Sequence, residues 1–205
     1  MKITVRNSIG ILAGFFVSAL ALGEVPNPKE VYINGISYGG PGCKQGTVGS
    51  YISDDAKVFT LAFDDYQVKQ DRNSAPTDAR KFCNLNVDLH IPHGWQFTIA
   101  KIDYRGYANL DAGLVGSVTS QYRFSGGAST GPLKVVFAGP VAQDYLKTDL
   151  IGIASLIWSP CGVSRALNIK SDLKLEGDRR KTGLLTLDTI DGEFSVVYAL
   201  QWRRC

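Results

Sequence analysis

The chain is 205 residues long and 44% apolar, with 22 basic and 19 acidic side chains and a formal charge of +3. That length supplies one ordinary hydrophobic core rather than two. Two of the basic residues, Lys2 and Arg6, belong to the leader described next, so 20 basic side chains face 19 acidic ones in the remainder. A chain so balanced lacks the basic footprint of a nucleic-acid-binding protein.

The N-terminus reads MKITVRNSIGILAGFFVSALALGE, with Lys2 and Arg6 ahead of an apolar run from Ile9 to Leu22 and a small-x-small site at Ala19-Leu20-Ala21. Residues 1–21 are expected to be a secretory signal peptide, cleaved after Ala21 or Gly23, and residues 22–205 a single secreted β domain. The apolar run, about 14 residues, is shorter than the roughly 20 that a spanning helix needs, so no membrane anchor is expected. The mature chain is expected to be a soluble monomer.

Further along, period-two alternation dominates. In FCNLNVDLHI the apolar residues Cys83, Leu85, Val87, Leu89 and Ile91 alternate with Asn84, Asn86, Asp88 and His90, as a half-buried strand requires. Pro92-His93-Gly94 then reads as a hairpin turn, with a new strand from Trp95. A stripe at Leu114, Val118, Tyr122 and Phe124 follows, then Val163, Leu167, Ile169, Leu173 and Leu175, and finally Phe194, Val196, Tyr198, Leu200 and Trp202. Between them stand turn signals at Ser53-Asp54-Asp55, Ser125-Gly126-Gly127, Gly139-Pro140 and Asp191-Gly192. GDRRKTG, Gly177 to Gly183, reads as a solvated hairpin tip, and Asp71 to Arg80 as a long loop. Roughly nine to eleven strands follow, so the predicted fold class is all-β: an antiparallel β-sandwich or flattened barrel.

The four cysteines, Cys43, Cys83, Cys161 and Cys205, form no Cys-x-x-Cys spacing, and an even count in an exported chain points to two disulfides. Three pairings are possible. Cys43 with Cys83 and Cys161 with Cys205 is favoured, since each closes a loop within one half of the chain, and the fold is then disulfide-braced.

Several phrases in order, GPGCKQG (40–46), RKFCNLNVDL (80–89), PHGWQF (92–97), DYRGYANLDAG (103–113), YRFSG (122–126), WSPCG (158–162) and a closing WRRC, resemble the secreted family catalogued as domain of unknown function 4360. The resemblance runs from about Val31 to Cys205. It implies a secreted, four-cysteine, all-β protein and supplies no reaction. It carries no required histidine at His90 or His93.

Those are the two histidines of the chain, and their three-residue spacing on a strand sends them to opposite faces, whereas a metal-binding pair shares one helix face. No metal, cofactor or catalytic residue is assigned. Asp64, Asp65 and Asp71, or Asp188 and Asp191, could supply oxygen ligands to calcium, but neither group follows an EF-hand pattern. The best binding candidate is DYRGYANLD, which sets Tyr104, Arg105, Tyr107 and Asn109 around a glycine at Gly106. Such residues recognise a sugar or protein surface by stacking and hydrogen bonding. The same stretch also fits a bulged strand corner, with Tyr104 and Tyr107 inside and Arg105 paired to Asp103.

The expected function is therefore non-catalytic binding of an extracellular polysaccharide or protein surface. A hydrolase or lyase on polysaccharide, and an inhibitor or effector acting through the Asp71 to Arg80 loop, are the alternatives.

Overall fold

The computed structural model describes residues 24–161, 166–187 and 196–205. The leader and the Asp191-Gly192 turn with Phe194 lie outside them. In chain order the strands are β1 (Tyr32–Gly39), β2 (Val48–Ile52), β3 (Val58–Phe63), β4 (Gln67–Gln70), β5 (Arg80–His90) and β6 (Trp95–Leu110). The second half adds β7 (Val115–Phe124), β8 (Leu133–Ala138), β9 (Val141–Leu150), β10 (Leu167–Glu176), β11 (Gly183–Thr186) and β12 (Val196–Arg204). The described residues thus hold twelve strands, one more than the upper sequence estimate.

They form two antiparallel sheets packed as a sandwich, which decides against a barrel. The five-stranded sheet runs β1-β5-β10-β7-β8. The seven-stranded sheet runs β2-β3-β12-β6-β11-β4, with β9 also paired to β6. Alternation explains the layers: Cys83, Leu85, Val87 and Leu89 of β5 and Leu167, Ile169, Leu173 and Leu175 of β10 are buried against the other sheet. Phe97 joins the two layers, its ring edge-on to Phe124 at 5.1 Å and tilted against Trp202 at 5.4 Å.

β6 is sixteen residues long and changes its inward phase once. Trp95, Phe97 and Ile99 face the core, and so do Ile102, Tyr104, Ala108 and Leu110. Odd and even positions can both be buried because Ala199 pairs with Lys101 while Leu200 pairs with Ile99, leaving Ala100 as an extra residue, a β-bulge. Lys101 to Tyr104 pair with both β12 and β9, so those strands flank β6 on opposite edges.

Two predicted hairpins are corrected. Pro92-His93-Gly94 joins β5 of one sheet to β6 of the other, and Gly177 to Gly183 joins β10 to β11 across the same gap. Both are crossovers between layers, because the strands they link bury their apolar faces from opposite sides of the core. The second is drawn tight by Asp178, whose carboxylate accepts from the Arg180 backbone N–H at 3.0 Å and from its guanidinium at 2.7 Å. The long loop after Asp71 carries a 3-10 turn, Pro76–Ala79, just ahead of β5.

Cys43 is bonded to Cys83 and Cys161 to Cys205, with sequence separations of 40 and 44. The first bridge fastens the GPGCKQG loop to β5. The second fastens the last residue, whose backbone N–H also bonds the Gly94 carbonyl at 2.9 Å. Nearby, the Trp202 indole donates to the carbonyl of Ala56, a left-handed residue in the β2–β3 turn, at 2.8 Å. A loop of this length, closed in the unfolded chain, stabilises the fold by about 4 kcal/mol on the chain-entropy model. Replacing Cys43 and Cys83 together by alanine is expected to lower the unfolding free energy by that order in urea titrations followed by tryptophan fluorescence. A loss below about 1 kcal/mol would contradict it.

Candidate functional site

The polar positions of three neighbouring strands form a grid on the outer face of the five-stranded sheet. Phe82 of β5 lies opposite Asp172 of β10, which lies opposite Thr119 of β7. In the next row Asn84 faces Lys170, which faces Gln121, and in the third Asn86 faces Asn168, which faces Arg123. Two adjoining depressions of about 280 and 450 Å³ occupy this grid and share Asn84, Gln121 and Lys170. The β7–β8 loop walls one side with Ser129 and Pro132. On the other side Gly39 of β1 lies opposite Asn84, and no protein atom stands within 4 Å of where its Cβ would be. The groove is therefore open toward that edge.

Its side chains are partly pre-oriented. Asn86 donates to Asn168 at 3.1 Å, and Asn168 donates to the Ser125 hydroxyl at 2.9 Å. Gln121 donates to the Thr130 carbonyl at 2.8 Å. Each amide has four hydrogen-bonding positions, so each keeps unused capacity toward a ligand. Arg80 holds Asp172 at 2.9 Å in a forked contact. Asn84 and Lys170 make no side-chain hydrogen bond among the described residues.

Phe82 is 43% exposed, an apolar ring on a polar face. Its backbone is clamped from behind: the Gly42 N–H donates to the Phe82 carbonyl at 3.0 Å, and a Cβ on Gly40 would lie 2.3 Å from that oxygen. Gly40 also has φ +140°, where a side chain is strained. The GPGCKQG loop, tied to the next residue by the Cys43–Cys83 bridge, thus sets the ring's position.

The stretch singled out in the sequence divides differently. Tyr104 is only 2% exposed and belongs to the core, so it offers no surface for stacking. Arg105, Tyr107 and Asn109 alternate with it and face outward on the seven-stranded sheet, opposite Leu146, Asp144 and Ala142 of β9. Asp103 bonds Lys101 at 2.7 Å; burial alone would raise its carboxyl, but Lys101 and the Thr148 hydroxyl outweigh that and hold it below the usual range. Gly106 is not the bulge. A Cβ there would meet the Thr186 carbonyl, to which the Tyr145 hydroxyl donates from beneath.

His90 and His93 both line a depression of about 630 Å³ with Asn27, Glu30 and Arg204, although three residues apart on the chain, and no cluster of three or more metal-ligating side chains forms there or elsewhere among the described residues. His90 stacks on Tyr32, centroids 4.5 Å apart and 13° from parallel, while His93 sits in the crossover. Of the acidic loops, Asp65 accepts from Gln67 and pairs with Lys44, and Asp71 accepts from the Asn73 N–H. Asp188 and Asp191 lie outside the described residues.

Residues 29–205 match the family described as Domain of unknown function (DUF4360). The chain belongs to this family. An uncharacterized secreted protein of Arthroderma benhamiae is 40% identical over 184 residues, 89% of this chain and 75% of the relative. The DUF4360 chain is likewise secreted, and its two disulfides fit an oxidising compartment. Among solved structures, the carbohydrate-binding module TmCBM61 in complex with β-1,4-galactotriose overlaps it at TM-score 0.30 and 8% identity, covering 84% of this chain and 90% of that one. The enzymatically active domain of bacteriophage CBA120 tailspike protein 4 overlaps it at TM-score 0.29 and 12% identity, covering 85% and 20%.

Among the described residues, one carboxyl is held above its ordinary range. Asp149 of β9, opposite Ile102, has a buried Oδ2 without a hydrogen-bond partner, and burial is what raises it. A carboxyl raised in the folded state costs stability as pH rises from the unfolded value, near 4, through the folded one. Asp149→Asn is therefore expected to melt higher than the parent at pH 7, with the gap closing toward pH 3. Equal melting temperatures at pH 7 would show that the buried oxygen carries no penalty.

Proposed function

We propose that this DUF4360 protein is a non-catalytic binding protein for an extracellular polysaccharide, held in the groove on the outer face of the five-stranded sheet. The observation that carries this reading is Phe82, an exposed ring clamped from behind that shares one depression with Asn84 and Gln121, while Asn168 lines the adjoining one. A sugar ring offers a C–H face and a rim of hydroxyls that both donate and accept. An aromatic ring covers the first, and carboxamides satisfy the second in both senses. A protein interface core is richer in apolar side chains than this face.

The non-catalytic part rests on the groove's carboxylate. Asp172 lines the groove and is tied to Arg80, whereas hydrolysis of a glycosidic bond uses two carboxyl groups facing one another across the bond. Tyr107 and Asn109 lie on the opposite outer face and serve as controls.

The test is depletion of the mature protein by insoluble cell-wall polymers, with reducing-end release measured in parallel. Phe82→Ala, and Gly39→Leu, which fills the open side beside Asn84, are each expected to weaken binding about tenfold, roughly 1.4 kcal/mol. Tyr107→Ala should bind as the parent does. Undiminished binding by both groove variants, or release of reducing ends, would contradict the proposal.

A further inference from the structure

We infer that the polysaccharide is anionic and carries its charge as carboxylates rather than sulfates, a uronate polymer, with Lys170 and Arg123 as the residues that meet them. This rests on the groove being the binding face. The two depressions are lined by Arg80, Lys170 and Arg123 against a single acid, Asp172. Arg80 is consumed by Asp172 at 2.9 Å. Lys170 and Arg123 are both exposed and make no ion pair among the described residues. The groove thus presents two uncompensated positive charges in a chain whose mature part is otherwise nearly neutral.

Their placement is also specific. Arg123 lies opposite Asn168 and Lys170 opposite Gln121, so the cations sit on a diagonal across β7 and β10, about 7 to 8 Å apart at the backbone. Amide side chains occupy the remaining corners. A guanidinium fork takes a carboxylate through two parallel hydrogen bonds, and an ammonium takes one as a point charge. The intervening amides then fall on uncharged hydroxyls. This pattern suits a polymer in which each carboxylate is surrounded by hydroxyl groups. A densely sulfated chain calls instead for contiguous runs of Lys and Arg, and none lines the groove. The cations also concentrate a polyanion near the sheet before it docks, an attraction that salt screens.

The experiment measures affinity of the full mature, disulfide-bonded chain for polygalacturonate and alginate, for carboxyl-reduced polygalacturonate, and for dextran sulfate, at low and physiological salt. The parent is expected to bind at least one uronate polymer about tenfold more tightly than the carboxyl-reduced one, and dextran sulfate no more tightly than that uronate. Lys170→Gln and Arg123→Gln should each remove most of that preference and flatten the salt dependence. Equal affinity for the carboxyl-reduced polymer, or preference for dextran sulfate, overturns the carboxylate inference and leaves the groove reading standing if Phe82→Ala still weakens binding. Binding to none of the polymers, charged or neutral, overturns both. Thermal unfolding of each variant separates loss of fold from loss of charge.

Discussion

The period of two along β5 ties the core of this protein to its surface chemistry. Burying Cys83, Leu85, Val87 and Leu89 against the opposite sheet forces Phe82, Asn84, Asn86 and Asp88 outward, and a slip of one residue would exchange the two sets. The register is held at one end by the Cys43–Cys83 bridge and along its length by β1 and β10 on either side. The shape of the protein and the proposed recognition surface therefore depend on the same alternation.

The surface grid exists because the sheet brings together polar stripes that are far apart in the chain. Asn86 and Asn168 are 82 residues apart and hydrogen-bond directly. Each stripe is visible in sequence as the polar half of an alternating strand. Their adjacency is not, since it depends on β10 crossing back to lie between β5 and β7. One local sign was available: Phe82 and Cys83 are consecutive apolar residues in an alternating run, so one of them must face solvent.

The sandwich, the secreted character and the cysteine pairing were legible because they rest on local pattern and on loop closure within each half. The groove residues proposed for binding were not. DYRGYANLD looked like a recognition segment by composition, yet strand geometry sends Tyr104 to the core and its neighbours Arg105 and Tyr107 the other way. The phase change that decides which residues those are occurs at Ala100, where the apolar spacing Trp95, Phe97, Ile99 gives way to Ile102, Tyr104. The two crossovers resemble hairpins in sequence for a related reason: turn residues mark where the chain reverses, and the partner sheet is set by packing.

The proposal places ligand recognition on the outer face of the five-stranded sheet. Backbone amide chemical shifts, followed during titration with a uronate oligosaccharide, test it most directly. The account predicts shifts concentrated on residues 82–86, 119–123 and 168–172, with the outward residues of β6 and β9 unmoved. Shifts centred instead on Arg105, Tyr107 and Asn109 would contradict it.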